Sequence, residues 1–302
     1  MSVRITDLGM MESRMAWMRQ GQSRVAAAEQ EIASGRRINK PSDNPSESAR
    51  LMRHDLRLQR VSQFARNNDN AKLWVGTADQ ALQTGATYLE RARTLAVQAG
   101  NDTTLGAQEG RAIAADVRSI AQGMMAMANT KISGRAIFAG TADSDGAYDA
   151  TTLAYVGDAG QVTRALDTDE TVVVGYHGPD IFGDANPGDP MNGNVFEMLG
   201  ALADAIENGN NTQIRAGIEA VDTAMARIGV VQGRVGAASQ QLDAAETRQN
   251  AEKLNTEEHI SKIRDVDIAD AVIRLRSAEV SYEATMSATS RALSRSLLDF
   301  IR

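Results

Sequence analysis

Apolar residues recur on a three- and four-residue rhythm along most of the chain, the repeat of helices that meet other helices, and the two ends carry it plainly. Towards the C-terminus it runs through Leu275, Glu279, Tyr282, Met286, Thr289, Leu293, Ser296 and Phe300, with Leu297 adjoining. From Ala284 to Ser296 only Arg291 and Arg295 are charged, and the rest is mostly Ala, Ser and Thr. Small polar residues of this kind suit a helix surrounded by close neighbours rather than an ordinary surface helix. Near the N-terminus Met11, Met18, Val25 and Ile32 fall seven apart, with Leu8, Met15 and Ala28 beside them. They predict a helix from about Leu8 to Ser34, stopped by Gly35. No His or carboxylate cluster joins the Met stripe, so it reads as helix core and not as a metal or cofactor site. The two end helices are expected to pair as a coiled coil.

Between the first helix and the next lies a basic stretch with Arg36, Arg37 and Lys40. Pro41 cannot continue a helix and pushes Lys40 towards an extended backbone. Asn44-Pro45-Ser46-Glu47 then reads as a helix start, with Asn44 as N-cap, Pro45 at the first position and Glu47 as reciprocal cap. The stretch is therefore a predicted hinge. A long helix follows from Ser46 to Ala99, in which Gly76 and Gly85 mark possible kinks or breaks. Another runs from about Gln108 to Ser133, a short one from Asn192 to Asn208, and a second long one from Asn210 to about Arg264. In the last, Gly229, Gly233 and Gly236 allow close helix contacts or a local break. Asp265 and Asp267 mark a second hinge, where carboxylates near a helix N-terminus favour capping over metal binding or acid–base work.

At Gly134 the pattern changes to Gly and Asp at short intervals. Apolar and β-branched runs at Ala136–Ala139, Leu153–Val156, Gln161–Leu166 and Thr171–Tyr176 predict a small antiparallel β insert. Asp143 to Asp149 lacks the closing Glu of a calcium loop and reads as a turn. His54, His177 and His259 read as isolated surface or packing residues. The predicted organisation is nested and mainly α with a small β insert. Residues 1–41 and 265–302 form a terminal coiled coil, 42–133 and 192–264 a long antiparallel helical bundle, and 134–191 an outer β domain at its tip. The end helices are expected to be disordered in the free monomer and ordered by neighbouring copies.

Composition narrows the function classes. Aromatic residues make up only 4% of the 302 residues, which fits an Ala-rich helical protein with thin cores. A formal net charge of −7 disfavours a nucleic-acid partner. The absence of cysteine excludes thiol nucleophiles, disulfides and Cys-ligated metals. No run approaches the length of a membrane span. No constellation suggests an enzyme or a cofactor. The first residues, MSVRITDLGM, lack the basic and apolar regions of a secretory signal, so export by another route is expected. Asn101-Asp-Thr and Asn210-Asn-Thr match the glycosylation pattern and read as chance matches in loops.

SGRRINKPSDNPSESARL, following the first amphipathic helix, resembles the first hinge of the flagellin superfamily. DVDIADAVIRL, followed by SATSRALSRSLLDFIR, resembles its C-terminal end. Within that superfamily, PSDNP at the hinge, Gly134-Arg-Ala-Ile-Phe-Ala-Gly140 and Tyr155-Val-Gly-Asp-Ala-Gly160 resemble the hook-associated branch at the hook–filament junction more than flagellin itself. The resemblance implies a structural adaptor of the bacterial flagellum, exported through the flagellar type III apparatus to an extracellular site. It implies as partners the first hook-associated protein, flagellin, copies of the chain in a junction ring, and a cytoplasmic export chaperone on the C-terminal helix. The expected assembly interface is Met11, Met15, Met18, Val25, Ile32, Leu275, Tyr282, Met286, Leu293, Leu297 and Phe300. The expected hinge residues are Arg36, Arg37, Pro41, Asn44, Pro45, Asp265 and Asp267. The alternatives are a flagellin that forms the filament and, with less behind it, a ligand-binding or enzymatic module in the β insert.

Overall fold

The computed structural model describes the backbone of residues 3–101 and 106–300, and side chains at 12–101 and 106–291. Helix α1, Val3–Ser34, ends at Gly35, whose φ of +66° is the left-handed turn that closes many helices. Helix α2 spans Pro45–Asn101 and helix α3 Ala107–Ala128. Helix α2 is continuous through Gly76 and Gly85, without the break that those glycines made possible. One face of it buries Ala71, Val75, Ala78, Leu82 and Leu89. That burial outweighs the roughly 1 kcal/mol by which a glycine weakens a helix.

A hairpin of β1, Lys131–Ile132, and β2, Arg135–Ala136, follows α3. Its two-residue turn holds Ser133 at φ 50° and Gly134 at φ 85°, the positive pair that a tight antiparallel hairpin needs. Strands β3, Thr163–Ala165, and β4, Thr171–Val173, pair antiparallel with Thr163 opposite Val173. Two isolated bridges, Ala139 with His177 and Tyr148 with Tyr155, add to the strand pairing within the insert. The strands are shorter than the predicted runs, and much of the insert is held by loop hydrogen bonds instead. Asn129 is one anchor: its side-chain oxygen accepts from the N–H groups of Ala147 (2.7 Å) and Tyr148 (2.9 Å), and its amide donates back to the Tyr148 carbonyl.

Helix α4, Gly178–Phe182, precedes α5, Val195–Glu207, which begins with a full capping box between Asn194 and Glu197. Helix α6 spans Asn211–Arg264 without a break at Gly229, Gly233 or Gly236, and α7 spans Ile268–Phe300.

The chain divides into two compact units, one of Met1–Arg60 with Glu252–Arg302 and one of Val61–Ala251. The divisions fall inside α2 and α6 and not at the hinges, and the β insert does not separate from the helices. The second unit shows why. Its core runs without interruption from Leu82, Leu89, Val117 and Met124 through Leu199, Leu202 and Ile228 into Phe138, Tyr148, Ile181 and Phe182 of the insert. Phe138 and Tyr148 both meet the Phe182 ring edge-on at 5.6 Å, and Tyr148 meets Phe196 of α5 at 4.9 Å. An insert whose strands have two or three residues has no sufficient core of its own.

Candidate assembly interface

In the first unit α1 and α7 pack along a heptad seam. On α1 the less exposed positions are Arg14, Met18, Gly21, Val25, Ala28 and Ile32, with Glu31 flanking them; on α7 they are Ala271, Leu275, Ala278, Tyr282, Thr285 and Thr289. Both sets alternate steps of four and three, as two helices packed side by side require. Contact is close where Gly21 faces Tyr282: a Cβ on Gly21 would lie 3.1 Å from the tyrosine ring. Arg274 crosses the seam to Glu31 at 3.1 Å.

Met18, Val25, Ile32, Leu275 and Tyr282 thus lie on the seam, but two other expected positions do not. Met15 is 41% exposed and Met286 49% exposed, and Glu279 also faces outward. Arg14, Ala278 and Thr285 lie on the seam where Met15, Glu279 and Met286 were expected, and Gly21 joins them at a position for which no residue was expected. Gly21, Ala278 and Thr285 let the helix axes come close, while Met15 and Met286 are left outside. The side chains of Met11, Leu293, Leu297 and Phe300 lie outside the described residues.

The two hinges are brought together. The Arg37 N–H donates to the Arg264 carbonyl (2.7 Å) and the Val266 N–H to the Gly35 carbonyl (3.0 Å), so Arg36 and Asp265 form an antiparallel bridge. The Arg37 guanidinium donates to the Ile263 carbonyl at 2.9 Å and to the Glu47 carboxylate at 3.0 Å. Glu47 was expected to close a reciprocal cap; it binds this guanidinium, a charged donor and the stronger partner. Asn44 does cap α2, accepting from the Glu47 N–H at 3.2 Å just before Pro45. Pro41 occupies the turn closed by the Asp43 N–H on the Lys40 carbonyl. Asp267 caps α7 by accepting from the N–H groups of Ala269 and Asp270. Hydrogen bonding by Ser261, then Arg264, with Arg36 nearby, holds the Asp265 carboxyl below its usual range.

The histidines, expected to be isolated, all have partners. His54 and His259 stack with ring centres 5.4 Å apart, and His177 lies 3.6 Å from Asp180 and edge-on to Tyr155. Sequence spacing could not reveal the first pair, because its members come from helices far apart in the chain. Among the described residues no three His, Asp or Glu side chains gather to hold a metal ion, and no described helix is long and apolar enough to cross a membrane.

What the first unit offers is therefore surface. Trp17, Met52, Leu56, Leu254, Ile273 and Val280 are large apolar side chains exposed in this unit. The bacterial flagellin N-terminal helical region matches residues 5–143, and the bacterial flagellin C-terminal helical region matches residues 218–301. The chain belongs to the flagellin superfamily. Flagellar hook-associated protein 3 of Salmonella typhimurium is 25% identical over 303 residues, covering 93% of this chain and 95% of its own. Flagellin of Bacillus subtilis is 23% identical over 272 residues, 87% of each chain. The fold is shared with the flagellar junction protein FlgL of Legionella pneumophila, at a TM-score of 0.59 and 15% identity over 71% of this chain and 99% of that one. This flagellin-superfamily member is FlgL-like and a structural component of the flagellum.

Proposed function

We propose that the chain is a structural adaptor, assembling as a ring at the hook–filament junction between the first hook-associated protein and flagellin. The observation that carries this reading is the first unit: a narrow seam in which half the positions are Gly, Ala or Thr, with large apolar side chains exposed elsewhere in the unit. Such helices gain from neighbours what they lack in the monomer. The expected interface residues divide the work. Met18, Val25, Ile32, Leu275 and Tyr282 hold the two helices to each other, whereas Met15 and Met286 face neighbours. The joined hinges around Arg36, Arg37, Pro41, Asn44, Pro45, Asp265 and Asp267 set where the terminal helices leave the rest. Delivery is through the flagellar type III apparatus, with an export chaperone holding the C-terminal helix before assembly.

The likeness to a hook-associated protein over almost the whole chain favours the junction over the filament. Deletion in the native host tests this: hooks should remain while filaments disappear and flagellin accumulates in the medium. A deletion strain that keeps normal filaments refutes the junction role. The flagellin reading draws on the Bacillus subtilis match. It requires purified chain to elongate filament seeds indefinitely, whereas the adaptor reading requires growth to stop after a short cap.

A further inference from the structure

Within the second unit the hairpin of β3 and β4 holds on to both long helices. On α2, the Asn67 amide donates to the Ala165 carbonyl at 3.0 Å. The Arg164 guanidinium donates to Asn70 at 2.9 Å and stands over the Trp74 ring, 5.7 Å from its centre. On α6, the Gln249 amide donates to the Leu166 carbonyl at 2.8 Å, and Arg248 pairs with Glu170. Gln241 reaches the Glu170 carboxylate at 3.3 Å and the Thr171 carbonyl at 3.4 Å. Among these contacts, Asn67 on α2 and Gln249 on α6 lie nearest the ends of the unit, at Val61 and Ala251.

The helices have reason to need this hold. Along this stretch the side chains they bury include Ala71, Ala78, Ala238 and Ala245. Two helices meeting through alanines bury little apolar surface by themselves. The hairpin adds a layer: its Leu166 and Val172 belong to the same continuous core. Polar grips accompany that layer. Gln249 is 8% exposed, and its side-chain oxygen is buried without a hydrogen-bond partner. A half-satisfied buried amide is costly, and a leucine at this place would avoid the cost. What the amide supplies instead is a directed bond to the hairpin backbone. The pairs that join α2 to α6 in the first unit, Arg57 with Glu252 and His54 with His259, are largely at the surface.

We propose that the β3–β4 hairpin is a splint. It sets how far α2 and α6 stay rigid as a pair, and so where the compact second unit ends. Helices in proteins are held chiefly by what their apolar faces pack against. The turns of α2 and α6 that the hairpin grips have a third element to pack on, and they open last. The turns beyond Asn67 and Gln249 lack its grip, and they open first. This accounts for the division falling inside the two helices and not at the hinges, which no hairpin contact reaches. It also gives the β insert a task inside its own chain, one that does not depend on the junction reading.

Hydrogen exchange on full-length chain carrying Asn67→Ala and Gln249→Ala tests the splint. Alanine is the best helix former, so propensity alone would slow exchange at residues 61–70 and 242–251. Loss of the splint should quicken it there, by on the order of tenfold for two hydrogen bonds. A second variant, Arg164→Ala, cuts the hold from the hairpin side and leaves both helix sequences intact. It should quicken the same two stretches. Exchange at 82–89 and 113–124 should match the native chain in both variants. Trypsin should newly reach Arg66 and Arg248, shortening the resistant fragment at both ends. Slower or unchanged exchange in the two helix stretches overturns the proposal. So does faster exchange confined to 161–174, which would show a loosened hairpin over helices that hold without it. Faster exchange throughout the second unit also overturns it, since the hairpin is then an ordinary part of one core.

Discussion

Arg37 joins three places in the chain with one side chain and one backbone N–H. Its guanidinium links the first turn of α2, through Glu47, to the end of α6, through the Ile263 carbonyl, while its N–H binds the Arg264 carbonyl. The ion pair is substantially exposed and is worth less than about 1 kcal/mol. The bond to the carbonyl adds on the order of 1 kcal/mol. Arg37→Ala should therefore loosen the joined hinges by roughly 1–2 kcal/mol, a several-fold rise in local opening. Hydrogen exchange should quicken at residues 35–47 and 263–266 and stay unchanged at the core of the second unit. Arg37→Lys should recover part of the protection, because one ammonium cannot copy the two-way reach of the guanidinium. Unaltered exchange in the alanine variant would show that the backbone bridge holds the hinges alone. The Asn44 cap was legible in the sequence because it is a local event. The use of Glu47 was not, since its competing partner is chosen by the meeting of two distant hinges.

At the scale of elements, the helices were legible from their three- and four-residue rhythm, and the β insert from its Gly and Asp spacing. What escaped was which positions each helix turns inward. In α7 the apolar-sized residues at 279–286 suggested one seam, but Ala278 and Thr285 form it while Met286 faces out. Hydrophobicity marks what should be covered; it does not say whether the cover comes from the same chain. Glycines misled for a related reason. They signal weakness in a lone helix, yet α2 and α6 run through theirs because each helix buries a face, in α2 with Gly85 itself packed against Met127. Gly229 and Gly233 nevertheless keep their cost. Replacing both with alanine should stabilise the purified chain by about 1 kcal/mol each, since the new methyls meet nothing within 4 Å. The melting temperature should rise by a few degrees. Gly123→Ala on α3 should do the reverse, because its Cβ would lie 2.9 Å from the Tyr88 ring.

At the scale of the whole molecule, the two units differ in how much apolar surface they bury. Among the described residues, the buried apolar side chains of the first unit are Ala28, Ile38, Ile260 and Ala271. Each ordered residue costs on the order of 1–2 kcal/mol of conformational entropy, and a fully buried Ile returns only about 2 kcal/mol. The pairs that join α2 to α6 within this unit, Arg57 with Glu252 and the stacked His54 and His259, are largely at the surface and return little. The second unit has the continuous aromatic and aliphatic core instead. The free monomer should therefore be attacked by trypsin not only at the hinges but also within α2 at Arg50, Arg53, Arg57 or Arg60 and within α6 at Lys253 or Lys262. The resistant fragment should begin close to Val61 and end close to Ala251, with mass spectrometry giving the ends. A fragment running from the first hinge to Arg264 would instead place the division at the hinges, where sequence reading put it, and would mean that the outer turns of α2 and α6 fold with the bundle. In assembled hook–filament structures the same sites in α2 and α6 should be protected, because neighbours then cover Met52, Leu56 and Leu254. Equal cleavage in monomer and assembly would remove the case for these side chains as contacts between copies.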